Sequence, residues 1–166
     1  MKDTSHKGLV SHTAVLNRLV QLGFEVLLPW ADHLSYDLAY FVTEEQHHFG
    51  FFVHQESYLV RVQVKTAWLS KDETCLEFNT STVSARKRGS NKKSNYKGKA
   101  ECFAIYSPDT EKIYIIAVED ATNYDMSLRF KKAGVVRSNG KQSWYVSYEE
   151  AVNSGVHYWW AEDYEL

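Results

Sequence analysis

The chain has 166 residues, 44% of them apolar and 24% charged, which suits one domain around one core. Its two cysteines, Cys75 and Cys102, have no ligand-like spacing, and neither a signal-peptide pattern nor a membrane-length apolar run occurs, so a disulfide framework, a structural zinc site and a membrane role are not expected and a reducing cytoplasm is the natural compartment. The formal net charge of -2 conceals an uneven distribution: seven of the 19 Lys and Arg lie between Arg86 and Lys99 with no acid among them, leaving the rest of the chain acidic.

In chain order, Thr4 or Ser5 can cap a first helix, on which Leu9, Val15, Leu16, Leu19, Val20 and Leu22 recur at helical spacing and which Gly23 stops. Phe24 to Leu28 reads as a short strand closed by Pro29, and residues 30–36 as a polar loop. Two alternating segments follow: Leu38, Tyr40 and Val42, then Val60, Val62 and Val64, each interleaved with residues of the opposite face. They flank a connection near Gly50 and Phe51 and are expected to form an antiparallel hairpin with Leu38 opposite Val64. Cys75 to Phe78 is another strand. Ser84 to Gly98 lacks apolar periodicity and reads as a long mobile loop. Cys102 to Tyr106 and Ile113 to Val118 are strands joined by a turn at Ser107–Thr110, and a short helix from Glu149 precedes an aromatic, acidic tail. No repeat or linker divides the chain, so residues 1–166 are read as a single α/β or α+β domain.

The hairpin brings chemistry together. Asp37 supplies a hard carboxylate oxygen suited to magnesium, and the Gln63 amide oxygen and the Val64 carbonyl are neutral oxygens beside it. Lys65, two residues beyond Gln63 on the same strand face, can stabilise charge on a phosphate or an attacking water. Alternating Arg61, Gln63 and Lys65 is also what the solvent face of any amphipathic hairpin looks like, and alternation alone does not separate the two readings.

The order Tyr36-Asp37-Leu38, hairpin, Val62-Gln63-Val64-Lys65-Thr66 resembles the bipartite motif of the PD-(D/E)XK nuclease superfamily, with tyrosine for proline and glutamine for the usual acid. Further likenesses point to the branch of endonucleases encoded in group I introns: Lys7-Gly8 opening the helix, Leu22-Gly23-Phe24-Glu25-Val26 leading to Pro29, Tyr96-Lys97-Gly98 leading into Cys102-Phe103-Ala104-Ile105-Tyr106, the strand 113–118, and Trp160-Ala161-Glu162-Asp163-Tyr164. The resemblance implies a restriction-endonuclease-like α/β core, with a mixed central sheet flanked by helices and a basic DNA-binding loop. It also implies Mg2+-dependent cleavage of double-stranded DNA, with Asp37, Gln63 and Lys65 as catalytic residues and Asp37, Gln63 and the Val64 carbonyl around the metal. One departure stands out. The family often places a glutamate on the first helix, where this chain has Ser11-His12, and no acid occurs between Asp3 and Glu25. Ser11 and His12 are therefore accessory candidates. His12 can be a substitute ligand or proton carrier, although a lone histidine on a helix face is more often packed and hydrogen-bonded.

The candidate DNA contacts are Arg61, Arg86, Lys87, Arg88, Asn91, Lys92, Lys93, Asn95, Lys97 and Lys99. Clustered cations neutralise phosphates, and arginine and asparagine can read base edges. The late aromatics are expected in the core or a subunit interface. Cutting both strands of a roughly symmetric site calls for a homodimer or homotetramer. The reading is thus a site-specific homing endonuclease. A Holliday-junction-resolvase-like nuclease and a catalytically weakened DNA-binding module of the same fold are the alternatives.

Overall fold

Helix α1 (Thr4–Gln21) opens the described part of the chain, which in this computed structural model comprises residues 4–31, 34–48, 51–84 and 92–166. The helix ends as its sequence dictates. Gly23 takes a positive φ of 86°, its N–H donates to the Val20 carbonyl, and the Phe24 N–H donates to the Leu19 carbonyl, which satisfies carbonyls the helix leaves open. The strands that follow are β1 (Val26–Leu27), β2 (Leu38–His48), β3 (Phe51–Thr66), β4 (Trp68–Leu69), β5 (Cys75–Asn79), β6 (Thr82–Ser84), β7 (Lys92–Ser94), β8 (Cys102–Ser107), β9 (Lys112–Ala117), β10 (Asp125–Arg129), β11 (Val135–Ser138) and β12 (Ser143–Val146). A short helix α2 (Tyr148–Asn153) begins at Ser147 with reciprocal side-chain and backbone hydrogen bonds between Ser147 and Glu150.

The central sheet is five-stranded, in the order β1-β2-β3-β8-β9, and β3 and β8 are its one parallel pair among the described strands. Alternation assigns its two faces. Leu38, Val62, Val64, Cys102, Ala104 and Ile113 turn toward Val15 and Leu19 of α1. Phe103, Ile105, Tyr114 and Ile116 turn the other way, onto Leu76 and Phe78 of β5 and Met126 and Leu128 of β10. One helix therefore covers one face, and the sheet β10-β5-β4 covers the other. The described part of the crossover from β3 to β8, where a parallel pair usually carries a helix, holds short strands.

Three expectations are corrected. Leu38 faces Val62, not Val64. The slip is two residues, so every side chain keeps its face, because strand side chains alternate with period two. On α1 the buried column is Ser11, Val15 and Leu19, spaced four apart, whereas Leu9 and Val20 are 62% and 57% exposed. The segment 84–98 is not loop throughout: β6 and β7 pair as an antiparallel ladder, Thr82 with Ser94 and Ser84 with Lys92. Cys75 and Cys102 are buried free thiols. Burial first of all pushes the Cys102 thiol up to about 12, which keeps it protonated. No described helix is long and apolar enough to cross a membrane.

Candidate active site

Asp37 is the residue just before β2. Its N–H donates to the Val62 carbonyl at 2.8 Å, which holds the chain against β3 where the ladder starts. Its carboxylate Oδ2 accepts the Val64 N–H at 2.7 Å and also an N–H of the Gln63 amide. The same Gln63 nitrogen lies 3.4 Å from the Val64 carbonyl oxygen. Asp37, Gln63 and Val64, the three groups singled out as ligands, thus meet at one point. The ladder itself makes this happen: β2 begins at Leu38, and the Asp37 side chain takes the Val64 N–H beyond that end.

Burial raises the Asp37 carboxyl above its ordinary pKa. The Val64 N–H opposes that rise most, followed by the charges of His12 and Lys65 and the Gln63 amide. Among the described residues no three His, Cys, Asp or Glu side chains gather as a metal-binding group. A cation here would depend on one carboxylate and neutral oxygens.

Lys65 has a fixed seat. Its Nζ donates to the Tyr96 hydroxyl at 3.2 Å and to the Ser81 carbonyl at 3.4 Å, and stands 4.5 Å from the Tyr96 ring centroid. Tyr96 is itself buried, edge-on to Phe103 with centroids 5.4 Å apart. A DNA contact and a structural role at the strand entrance were both open to Tyr96; its hydroxyl bonds the lysine, and its ring stands in the core.

Ser11 and His12 border the site from α1. Ser11 is 1% exposed, and its hydroxyl bonds Thr66 Oγ1 at 2.6 Å and the Lys7 carbonyl at 3.2 Å. His12 Nε2 lies 3.2 Å from the Asp37 carbonyl oxygen, an acceptor only, so this nitrogen carries the proton. The histidine is packed and hydrogen-bonded, and it braces the Asp37 peptide. Between α1 and β3 these residues line a cleft of about 360 Å³ that reaches Asp37, Val64 and Thr66. The bond to Thr66 ties Ser11 to the end of the motif strand, a pairing across 55 residues that no local pattern signals.

The candidate DNA contacts divide. Arg86, Lys87, Arg88 and Asn91 lie outside the described residues, and Lys92 is described only as the first residue of β7. Arg61 is clasped by Glu101, its Nε 3.1 Å from both carboxylate oxygens, and this guanidinium is the main cause that holds the Glu101 carboxyl below its ordinary range. Lys97 pairs with Glu119 at 3.2 Å, Lys99 caps the Asn95 carbonyl at 3.3 Å, Asn95 meets Asn123 at 3.4 Å, and Lys93 stands over the Tyr124 ring at 5.7 Å. These are surface contacts, weak enough for a phosphate to displace.

A five-stranded mixed sheet with this helix on one face, and an acid and a lysine at the root of one hairpin, defines a nuclease core of the restriction-endonuclease type. The family model for PD-(D/E)XK endonucleases matches residues 2–150, and the chain belongs to that family of DNA endonucleases. Among solved structures, the fold is similar to that of a bacterial homing endonuclease, I-Ssp6803I. The TM-score is 0.58 at 22% identity, over 84% of this chain and 82% of that one. No curated protein sequence matches.

Proposed function

We propose that the chain is a site-specific, Mg2+-dependent endonuclease of double-stranded DNA, of the homing type, with Asp37, Gln63 and the Val64 carbonyl as the metal-binding set and Lys65 as the phosphate-facing cation. The observation that carries this reading is the convergence of Asp37 Oδ2 and Val64 O on the Gln63 amide beside an open cleft.

The chemistry of that donor set fits a hard cation. With two acceptor oxygens facing it and no cation between them, the Gln63 amide must turn its N–H inward, since its oxygen would be repelled. A divalent ion would be held there by Asp37, the Val64 carbonyl and the Gln63 amide turned to offer its oxygen, a hard oxygen set of the kind magnesium takes. A bound ion supplies charge neutralisation at the phosphate and acidifies a water. The protein's own groups do the rest. Asp37 contributes the one negative charge, and His12 and the Val62 carbonyl hold its backbone. Lys65 presents an N–H donor to a phosphate oxygen, held in place by Tyr96 in a partly dehydrated setting where such a donor counts for more than in water. Lys93, Lys97 and Lys99, together with the cations of residues 86–92, supply sequence-independent affinity for the duplex. A symmetric homodimer or homotetramer provides the second active site needed for the second strand.

Plasmid cleavage tests the assignment. The wild type is expected to cut only with magnesium present, and Lys65→Ala to leave binding intact while cutting far more slowly. Equal cutting by both proteins removes Lys65 from the mechanism. Binding without cutting by the wild type makes the chain a DNA-binding module, and preference for a four-way junction over a linear duplex makes it a resolvase.

A further inference from the structure

Gly8 is the fifth residue of α1, past its first turn, and glycine is a poor residue there. It gives up more backbone freedom on folding than any other residue, and alanine in its place makes a helix more stable. The usual structural reasons for keeping a glycine are missing. Its φ is not positive, so the backbone bars no side chain. No atom of the described residues outside its own helix backbone and chain neighbours lies within 4 Å of the point where a Cβ would stand, so the packing bars none either. The described fold has no need of this glycine.

The empty space beside it belongs to the candidate active site. Gly8 is exposed and lines the cleft between α1 and β3, together with Ser11 and His12 from the helix and Asp37, Val64 and Thr66 from the hairpin. Asp37 is the one acid among the residues that line this cleft. A cation stands close by. The Lys7 carbonyl accepts the Ser11 hydroxyl, which also bonds Thr66, and the Lys7 ammonium lies 4.7 Å from the ring centroid of Trp68, two residues beyond Thr66. Trp68 is 41% exposed and Lys7 is exposed, so a phosphate can reach this ammonium, whose hold on the ring is weak at such a site.

We propose that Gly8 is where the DNA strand touches α1: the sugar–phosphate backbone of the strand to be cut runs through this cleft and passes Gly8 in van der Waals contact on its way to Asp37. The inference deepens the reading of Asp37, Gln63 and Lys65 as a DNA-cutting site and rests on it. Glycine serves where a backbone must come close to a ligand, and here the ligand, not the protein, requires the room. A side chain at position 8 would project into the cleft and hold the strand away from the carboxylate. The Lys7 ammonium gives the neighbourhood the charge that suits a polyanion.

Gly8→Ala and Gly8→Leu test this, since both introduce good helix formers. Stability of the metal-free protein is measured by urea unfolding, and cutting by the nicking of supercoiled plasmid with magnesium at enzyme excess. The two readouts should separate. The unfolding midpoints of both variants should lie at or above that of the wild type. Cutting should slow with the size of the side chain, severalfold for alanine and about a hundredfold for leucine, the scale on which a displacement of about one ångström acts. A Gly8→Leu protein that cuts at the wild-type rate overturns the contact. So do variants whose midpoints fall along with their cutting, because the fold would then need the glycine for itself. A wild type that does not cut with magnesium overturns the nuclease reading and this inference with it.

Discussion

The two ends of the β2–β3 hairpin share a ladder and differ in everything else. At the root, Leu38, Val62 and Val64 are buried under α1, and Asp37 is held by the Val62 carbonyl, the Val64 N–H, Gln63 and His12. Beyond Tyr40 and Arg61 the same two strands pair, among the described strands, only with each other. A buried carboxylate with a raised pKa can exist only where the scaffold fixes its partners, so the proposed chemistry belongs at the braced end. The outer end carries no such requirement.

Exchanging Asp37 for Asn gives the largest expected effect. Losing the one carboxylate of the set should cost several kcal/mol of transition-state stabilisation, about a thousandfold or more in cleavage rate, measured in single turnover with magnesium. Truncation separates the two ends of the hairpin in stability. Leu38→Ala, at a fully buried position, should cost about 2–5 kcal/mol in denaturant unfolding, and Leu59→Ala, at 40% exposure, less than about 1 kcal/mol. Similar losses at both positions would mean that the ribbon is packed as firmly as the root. Tyr96→Phe removes only the hydroxyl that Lys65 donates to. It should slow cleavage roughly tenfold while stability changes by about 1 kcal/mol or less, consistent with the modest net worth of one hydrogen bond.

The pH response follows from Asp37 and is the smallest effect. Its folded pKa is raised, so the folded state binds the proton more tightly than the unfolded chain, and stability falls as pH climbs from the ordinary aspartate value through the raised one. In metal-free protein, Asp37→Asn should flatten that fall in thermal unfolding. An unchanged profile would show that the carboxyl ionises there without penalty.

The sequence alone determined the hairpin, the faces of its strands, the helix stop at Gly23 and the meeting of Asp37 with Gln63, because alternation and turn chemistry are local and survive even a two-residue slip in register. It could not say which side of α1 is buried, since Leu9 and Val20 are as apolar as Val15 and Leu19 and only the position of the sheet chooses between them. Tertiary structure also decided what stands around the motif: the Ser11–Thr66 bond, the Tyr96 seat under Lys65 and the Arg61–Glu101 clasp join residues 31 to 55 apart in the chain. Such pairings are set by how the faces of the sheet are covered, and no periodicity along the sequence records them.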